Sequence, residues 1–268
     1  MYKKYFITFG GGSKNYIDAA ERLCKQAKSS RYFDICKYFT DKDLKSDSTF
    51  WKKHSNFILN NKRGFGYWLW KPYLISKIMK TINDGDILLY LDCGCEIGIN
   101  SHNLPKYFEY VKKYKIITSL FPYDEGYKII NYTKKDILVY FNLQDDKEFL
   151  NHKQIEAGCI MFFACKKVRN FLDEWYNICQ QNYNLIDDSK SKSNEFIEFK
   201  ENRHDQSIFA SLFWKYNFSN KKDIKNCVIY FRLNKKYISV VNIYRLYIIT
   251  LTFLLFLIFY EYISKKLF

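Results

Sequence analysis

Proline is nearly absent from this chain, three residues in 268, and glycine is scarce at ten. Collagen-like and linker-rich architectures need both in quantity, so neither applies. Arginine is scarce as well, seven against 36 lysines, although the formal charge reaches +15. A protein that reads duplex DNA relies on the arginine fork for guanine and phosphate, so the charge alone does not indicate nucleic acid. Lys, Asn, Ile, Tyr and Phe are all abundant, as an AT-rich coding sequence would make them. The eight cysteines include no CxxC pair, which excludes zinc-knuckle and thioredoxin-type spacing. Cys159 and Cys165 bracket the apolar run IMFFA, where a thiol packs as a small hydrophobe. Reduced cysteines fit a cytosolic setting.

Aromatic residues make up 20% of the chain and hydrophobic residues 48%, enough for a sizeable core. The length suits one α/β domain, or a domain of about 230 residues with an appendage. Tyr5–Phe9 is too short an apolar run for a signal peptide and leads into three glycines. Near the other end, Leu246 to Tyr260 are uncharged and mostly apolar, roughly 22 Å as a helix, with no polar face. Tyr244, Tyr247, Tyr260 and Tyr262 supply interfacial aromatics. This predicts a single-pass C-terminal membrane anchor over 240–262, after a domain over 1–235. Lys235, Lys236 and Arg245 outnumber Lys265 and Lys266, which keeps that domain on the cytosolic side.

Between the ends, strands and helices alternate. Strands are expected at Tyr5–Phe9, Tyr32–Phe39, Asp86–Leu91, Lys115–Leu120, Ile155–Ala164 and Val228–Phe231. Helices are expected from Ser13 to Lys28, over Ser48–Leu59, from Pro72 to Ile82, and over Val168–Asn182 and His204–Tyr216, with Ser189–Lys200 as a loop. The pattern predicts a three-layer α/β domain with a mostly parallel, Rossmann-like central sheet. Ligands in such sheets sit at the carboxyl ends of the strands, where Gly10-Gly11-Gly12 and Asp92 fall.

Five segments carry groups capable of chemistry. The glycine turn lets backbone approach a nucleotide, or is simply a tight turn. Arg63–Leu74, RGFGYWLWKPYL, places two cations among aromatics, a combination that suits a diphosphate and a base. Asp92-Cys93-Gly94-Cys95-Glu96 puts a carboxylate just past a buried strand, where it must be solvated, hydrogen-bonded or metal-bound. Gln154 and Glu156 open an apolar strand, and Arg203-His204-Asp205-Gln206 opens a helix, a place suited to an anionic or polyhydroxyl ligand.

The ordered set ITFGGG, FGYWLWKPYLI, GDILLYLDCGCEI, TKKDIL, QIEAGCIMF, EWYNIC and RHDQSIF resembles a family of small glycosyltransferases with the GT-A fold, found in bacteria and large DNA viruses, over roughly residues 2 to 232. The resemblance implies transfer of a sugar from a nucleotide-sugar donor of the UDP or GDP type to a glycan, lipid or protein hydroxyl, with a divalent metal, Mn or Mg, in many relatives. It implies that Thr8, Phe9, Gly10, Gly11, Arg63, Tyr67, Trp70, Lys71 and Asp92 border the donor. Gln154, His204 and Gln206 would line the sugar and acceptor side, with Asp205 or Glu156 as catalytic base. Asp92 stands where the first Asp of the family's DxD metal motif stands, but Gly94 replaces the second, leaving Glu96 as the substitute ligand. Two other classes remain open: an inactive relative that still binds nucleotide sugar, and a basic membrane-attached binder of nucleic acid or anionic lipid. On the enzymatic reading no nucleic-acid partner is expected.

Overall fold

The computed structural model describes residues 2–120, 126–218, 228–230, 251–252 and 254–255. Strand β1 (Lys4–Gly10) has Phe6 to Gly10 all buried, Phe6 toward one face of the sheet and Ile7 and Phe9 toward the other. Parallel neighbours flank it: β2 (Ile35–Thr40) pairs Lys37 with Ile7, and β3 (Ile87–Leu91) pairs Tyr90 with Ile7. β6 (Ile155–Phe163) lies antiparallel to β3 and to β5 (Ile116–Leu120), giving the order β2-β1-β3-β6-β5. Four strands therefore point one way and β6 the other, which agrees with a mostly parallel sheet. The expected last strand forms as β7 (Val228–Tyr230), but it pairs with β4 (Cys95–Ile97) in a separate two-stranded sheet.

Every residue of β3 is buried because helices cover both faces of the sheet. α1 (Lys14–Ser30) and α6 (Leu104–Tyr114) close one side over Phe6, Leu89 and Met161. α3 (Ser48–Asn60), α5 (Trp70–Met79), α10 (Lys166–Gln181) and α12 (Asp205–Lys215) close the other over Ile7, Tyr90 and Phe162. The remaining elements are short. They are α2 (Asp41–Ser46), α4 (Gly64–Tyr67), a 3-10 turn (Ile99–Asn103), α7 (Ile129–Tyr132), α8 (Lys135–Tyr140), α9 (Lys147–Asn151) and α11 (Tyr183–Ile186). Ser189–Lys200 is a loop, as expected.

The seven described cysteines are free thiols. The anchor expected over 240–262 lies outside the described residues apart from 251–252 and 254–255, where Leu251, Leu254 and Leu255 are helical and exposed. Among the described residues no helix is long and apolar enough to cross a membrane.

Candidate functional site

The carboxyl ends of β1 and β3 meet the N-termini of α5 and α12, and the side chains singled out from the sequence divide into two clusters there. The glycine turn also serves the packing of the fold. A methyl on Gly10 would stand 2.0 Å from the Tyr16 carbonyl oxygen, so this glycine lets β1 run tight against α1. Its requirement is set by the helix. Thr8, two residues earlier, is fully buried, and its hydroxyl has no hydrogen-bond partner among the described residues.

Five consecutive residues, Gly64 to Trp68, have positive φ, at 58°, 53°, 83°, 49° and 58°. α4 is therefore a left-handed turn, closed by Tyr67 N donating to Arg63 O at 2.8 Å and Trp68 N to Gly64 O at 3.1 Å. Glycine enters this region freely; Phe65, Tyr67 and Trp68 each cost about 1–2 kcal/mol there. The turn aims Tyr67 and Trp68 outward toward α12 and drops Trp70 into the core. There Trp70 stacks on Phe9 at 3.9 Å and donates Nε1–H to Gly64 O at 2.9 Å. Phe9 and Trp70, expected beside the donor, thus pack against each other as core. Both are buried.

Lys71 follows and forms the first cluster. Its Nζ lies 3.1 Å from Asp92 Oδ1 and 3.6 Å from Asp205 Oδ2, and donates to Ala157 O at 3.2 Å. The Tyr90 hydroxyl donates to Asp92 Oδ1 at 2.6 Å. Asp205 is buried at the first turn of α12, and apart from the Lys71 ammonium its Oδ2 has no hydrogen-bonding partner among the described residues. Burial, opposed by Lys71 and reinforced by the Asp92 charge, pushes the Asp205 carboxyl up to about 7. Gln206 accepts from Ala157 N at 3.1 Å through Oε1, leaving its Nε2 buried without a partner among the described residues; both side-chain polar atoms of Gln154 are in the same condition. Buried amides normally find partners, and these atoms are exceptions to that rule. Glu156 is buried on β6, alternating with Ile155 and Ala157 of the core that α5 and α12 cover, so its side chain leaves the opposite face of the strand. Of the two candidate bases, Asp205 lies 3.6 Å from the Lys71 ammonium.

The second cluster gathers on Asp188, which sequence reasoning passed over. Its Oδ1 accepts from Arg63 Nη1 at 2.9 Å and its Oδ2 from the Tyr67 hydroxyl at 2.8 Å. Those partners hold its carboxyl below the usual range against partial burial. Arg63 also reaches Glu201 at 3.5 Å, and Glu201 pairs with Arg203 at 2.9 Å. His204 is buried against the rings of Tyr67 and Trp68, with Nδ1 2.7 Å from Ile186 O. Burial pulls its pKa down to about 4, so the imidazole is neutral at pH 7. The only warning of Asp188 in the sequence is the Asp187-Asp188 doublet after a short apolar stretch.

The second carboxylate expected for a metal is engaged elsewhere. Glu96 sits on β4, 3.2 Å from Arg22 Nη1 of α1, and the same guanidinium donates to the carbonyls of Cys93 and Cys95. Among the described residues no group of three or more His, Cys, Asp or Glu side chains converges as a cation cage.

No family model matches the chain, and no curated protein matches it. The chain is similar, at low identity, to solved structures that include the following two. Mouse xyloside xylosyltransferase 1 in its apo form has a TM-score of 0.44 and 9% identity, over 87% of this chain and 99% of that one. The galactosyltransferase LgtC with donor and acceptor sugar analogues has a TM-score of 0.43 and 14% identity, over 78% of this chain and 70% of that one.

Proposed function

We propose that the protein transfers a glycosyl group from a nucleotide-sugar donor to an acceptor hydroxyl. The observation that carries this reading is the Lys71 ammonium held between Asp92 and Asp205 at the carboxyl edge of β3, beside the orphaned amides of Gln154 and Gln206. In such a transfer the bond from the anomeric carbon to the diphosphate breaks and its electron pair leaves with the phosphate. The acceptor oxygen bonds to that carbon and loses its proton. Lys71 supplies positive charge preorganised in a dry site, where it acts more strongly than in water. Asp205, poised near neutrality, is the group suited to take the proton. The amides orient sugar hydroxyls.

Among the described residues, the divalent ion implied by the family resemblance does not find its ligands. Gly94 has no carboxylate, Glu96 is held by Arg22, and Asp92 Oδ1 already receives Lys71 and Tyr90. No step is routed through a metal, and Lys71 stands as the cation of the site. Membrane tethering through 240–262 is part of the proposal, with the donor base, sugar and acceptor identified by screening.

The test is nucleoside diphosphate release from UDP- and GDP-sugars in the presence of hydroxyl acceptors. Lys71→Met and Asp205→Asn should each lower turnover by about 10²–10⁴-fold while the domain stays folded. Full turnover in both variants would refute the assignment.

A further inference from the structure

Asp188 and His204 face each other in a way that nothing among the described residues completes. Nδ1 of His204 lies 2.7 Å from the Ile186 carbonyl oxygen, which only accepts, so that nitrogen carries the hydrogen. In the neutral ring Nε2 is then an acceptor. It is buried and has no hydrogen-bond partner among the described residues, and Asp188 Oδ1 lies 4.0 Å away. Oδ1 is itself an acceptor, with one donor, Arg63, against two lone pairs. Two acceptors cannot satisfy each other. An imidazolium would bridge them, but burial keeps the ring neutral at pH 7.

The backbone is strained to hold this arrangement. His204 has φ 58° and ψ −126°, a region that non-glycine residues avoid, and its ring rests on Trp68 and Tyr67 of the left-handed turn. Asp188 and Arg63 are each nearly half exposed, so the pair opens to solvent on that side. His204 also immediately precedes Asp205, which puts the pair next to the first cluster.

We infer that Asp188 and His204 together hold a vicinal diol of the nucleotide sugar, one hydroxyl donating to Oδ1 and its neighbour to Nε2. A single hydroxyl satisfies one acceptor; adjacent ring hydroxyls diverge to satisfy both, and the carboxylate makes its bond charge-assisted. The diol belongs to the ribose or to the transferred sugar, both of which carry one. This inference rests on the glycosyl-transfer reading and adds to it the residues that select the ligand.

The test is calorimetric titration of the full chain with UDP-glucose and GDP-glucose, their 2′-deoxyribose analogues and their singly deoxygenated hexose analogues. Removing one hydroxyl of the bound pair should weaken binding to the wild-type protein by about 10- to 100-fold. Loss confined to the ribose series or to the hexose series identifies the source. His204→Asn keeps a side-chain N–H for Ile186 and tolerates positive φ, while it removes Nε2. In this variant and in Asp188→Ala, the analogue lacking the hydroxyl that the deleted acceptor binds should come within about twofold of its parent, a pattern that general loosening would not produce. Equal affinity of parents and deoxy analogues for the wild-type protein overturns the diol site alone. Absence of binding by every parent compound overturns the glycosyl-transfer reading together with it.

Discussion

Asp205 is the residue whose protonation matters most. Its folded pKa of about 7 lies above the ordinary carboxylate value, so between pH 4 and 7 the folded state holds a proton that the unfolded state has released. Its contribution to stability is therefore present at low pH and lost as pH rises through 7. Asp205→Asn should gain stability relative to the wild type progressively from pH 4 to 7, measured by urea unfolding; a difference that stays flat across that range would contradict the burial argument. His54 acts with the opposite sign. Its ring nitrogens meet the hydroxyls of Tyr183 at 2.7 Å and Tyr176 at 2.8 Å, and burial lowers its pKa to about 4. The unfolded chain takes up that proton below pH 6.5, so stability is lost as pH falls from 6.5 toward 4. His54→Gln should flatten part of this acid limb in the same urea experiment, and His204, depressed for the same reason, carries the rest.

At the scale of elements, two turns decide where the site forms. Gly10 admits the Tyr16 carbonyl at a distance no Cβ allows, so Gly10→Ala forces α1 away from β1. The expected cost is about 1–3 kcal/mol, with a fall in Tm of roughly 2–12 °C by calorimetry. Gly66 has φ +83°, and a methyl at this position would stand 2.6 Å from the Ile58 side chain. Gly66→Ala should cost a similar amount and also lower donor affinity, because the left-handed turn carries Tyr67 to Asp188 and Trp68 to His204. Retention of wild-type donor affinity in this variant would detach the turn from the site.

For the whole molecule, a ligand that binds only the folded state raises its stability by mass action. A cognate nucleotide sugar at a hundredfold its Kd should add about 2.7 kcal/mol. With Lys71 in place of an ion, the shift in Tm should be the same in manganese and in chelator. A shift that requires manganese would show that the cation site lies with Asp92 after all.

The legible parts of this fold share one physical property: their signal is local. The run Ile87–Leu91 is continuous and apolar because β3 is buried on both faces, and the first polar side chain after it, Asp92, emerges where a ligand can reach it. Lys71 stood out because it and Arg63 fall among aromatics within one short segment. What stayed illegible depends on contacts distant in sequence. Asp188 meets Arg63 and Tyr67 across 125 and 121 positions, and no window of sequence contains such a pair. β4 is three residues long and exists through pairing with β7, too short for an alternation to show.

The sequence by itself determined the alternation of strands and helices, the strand ends at which chemistry gathers, and the cation and carboxylates at its centre. Burial pattern and charge are properties of neighbouring residues, so they are written along the chain. Tertiary structure decided the assignments among those candidates. Packing turned Phe9, Trp70 and Gly10 into core, because their nearest partners are each other and α1. An arginine from α1 took Glu96. A strained turn brought His204 and Asp188 face to face without bonding them, since backbone held by many distant contacts can keep two acceptors together that local preference would separate.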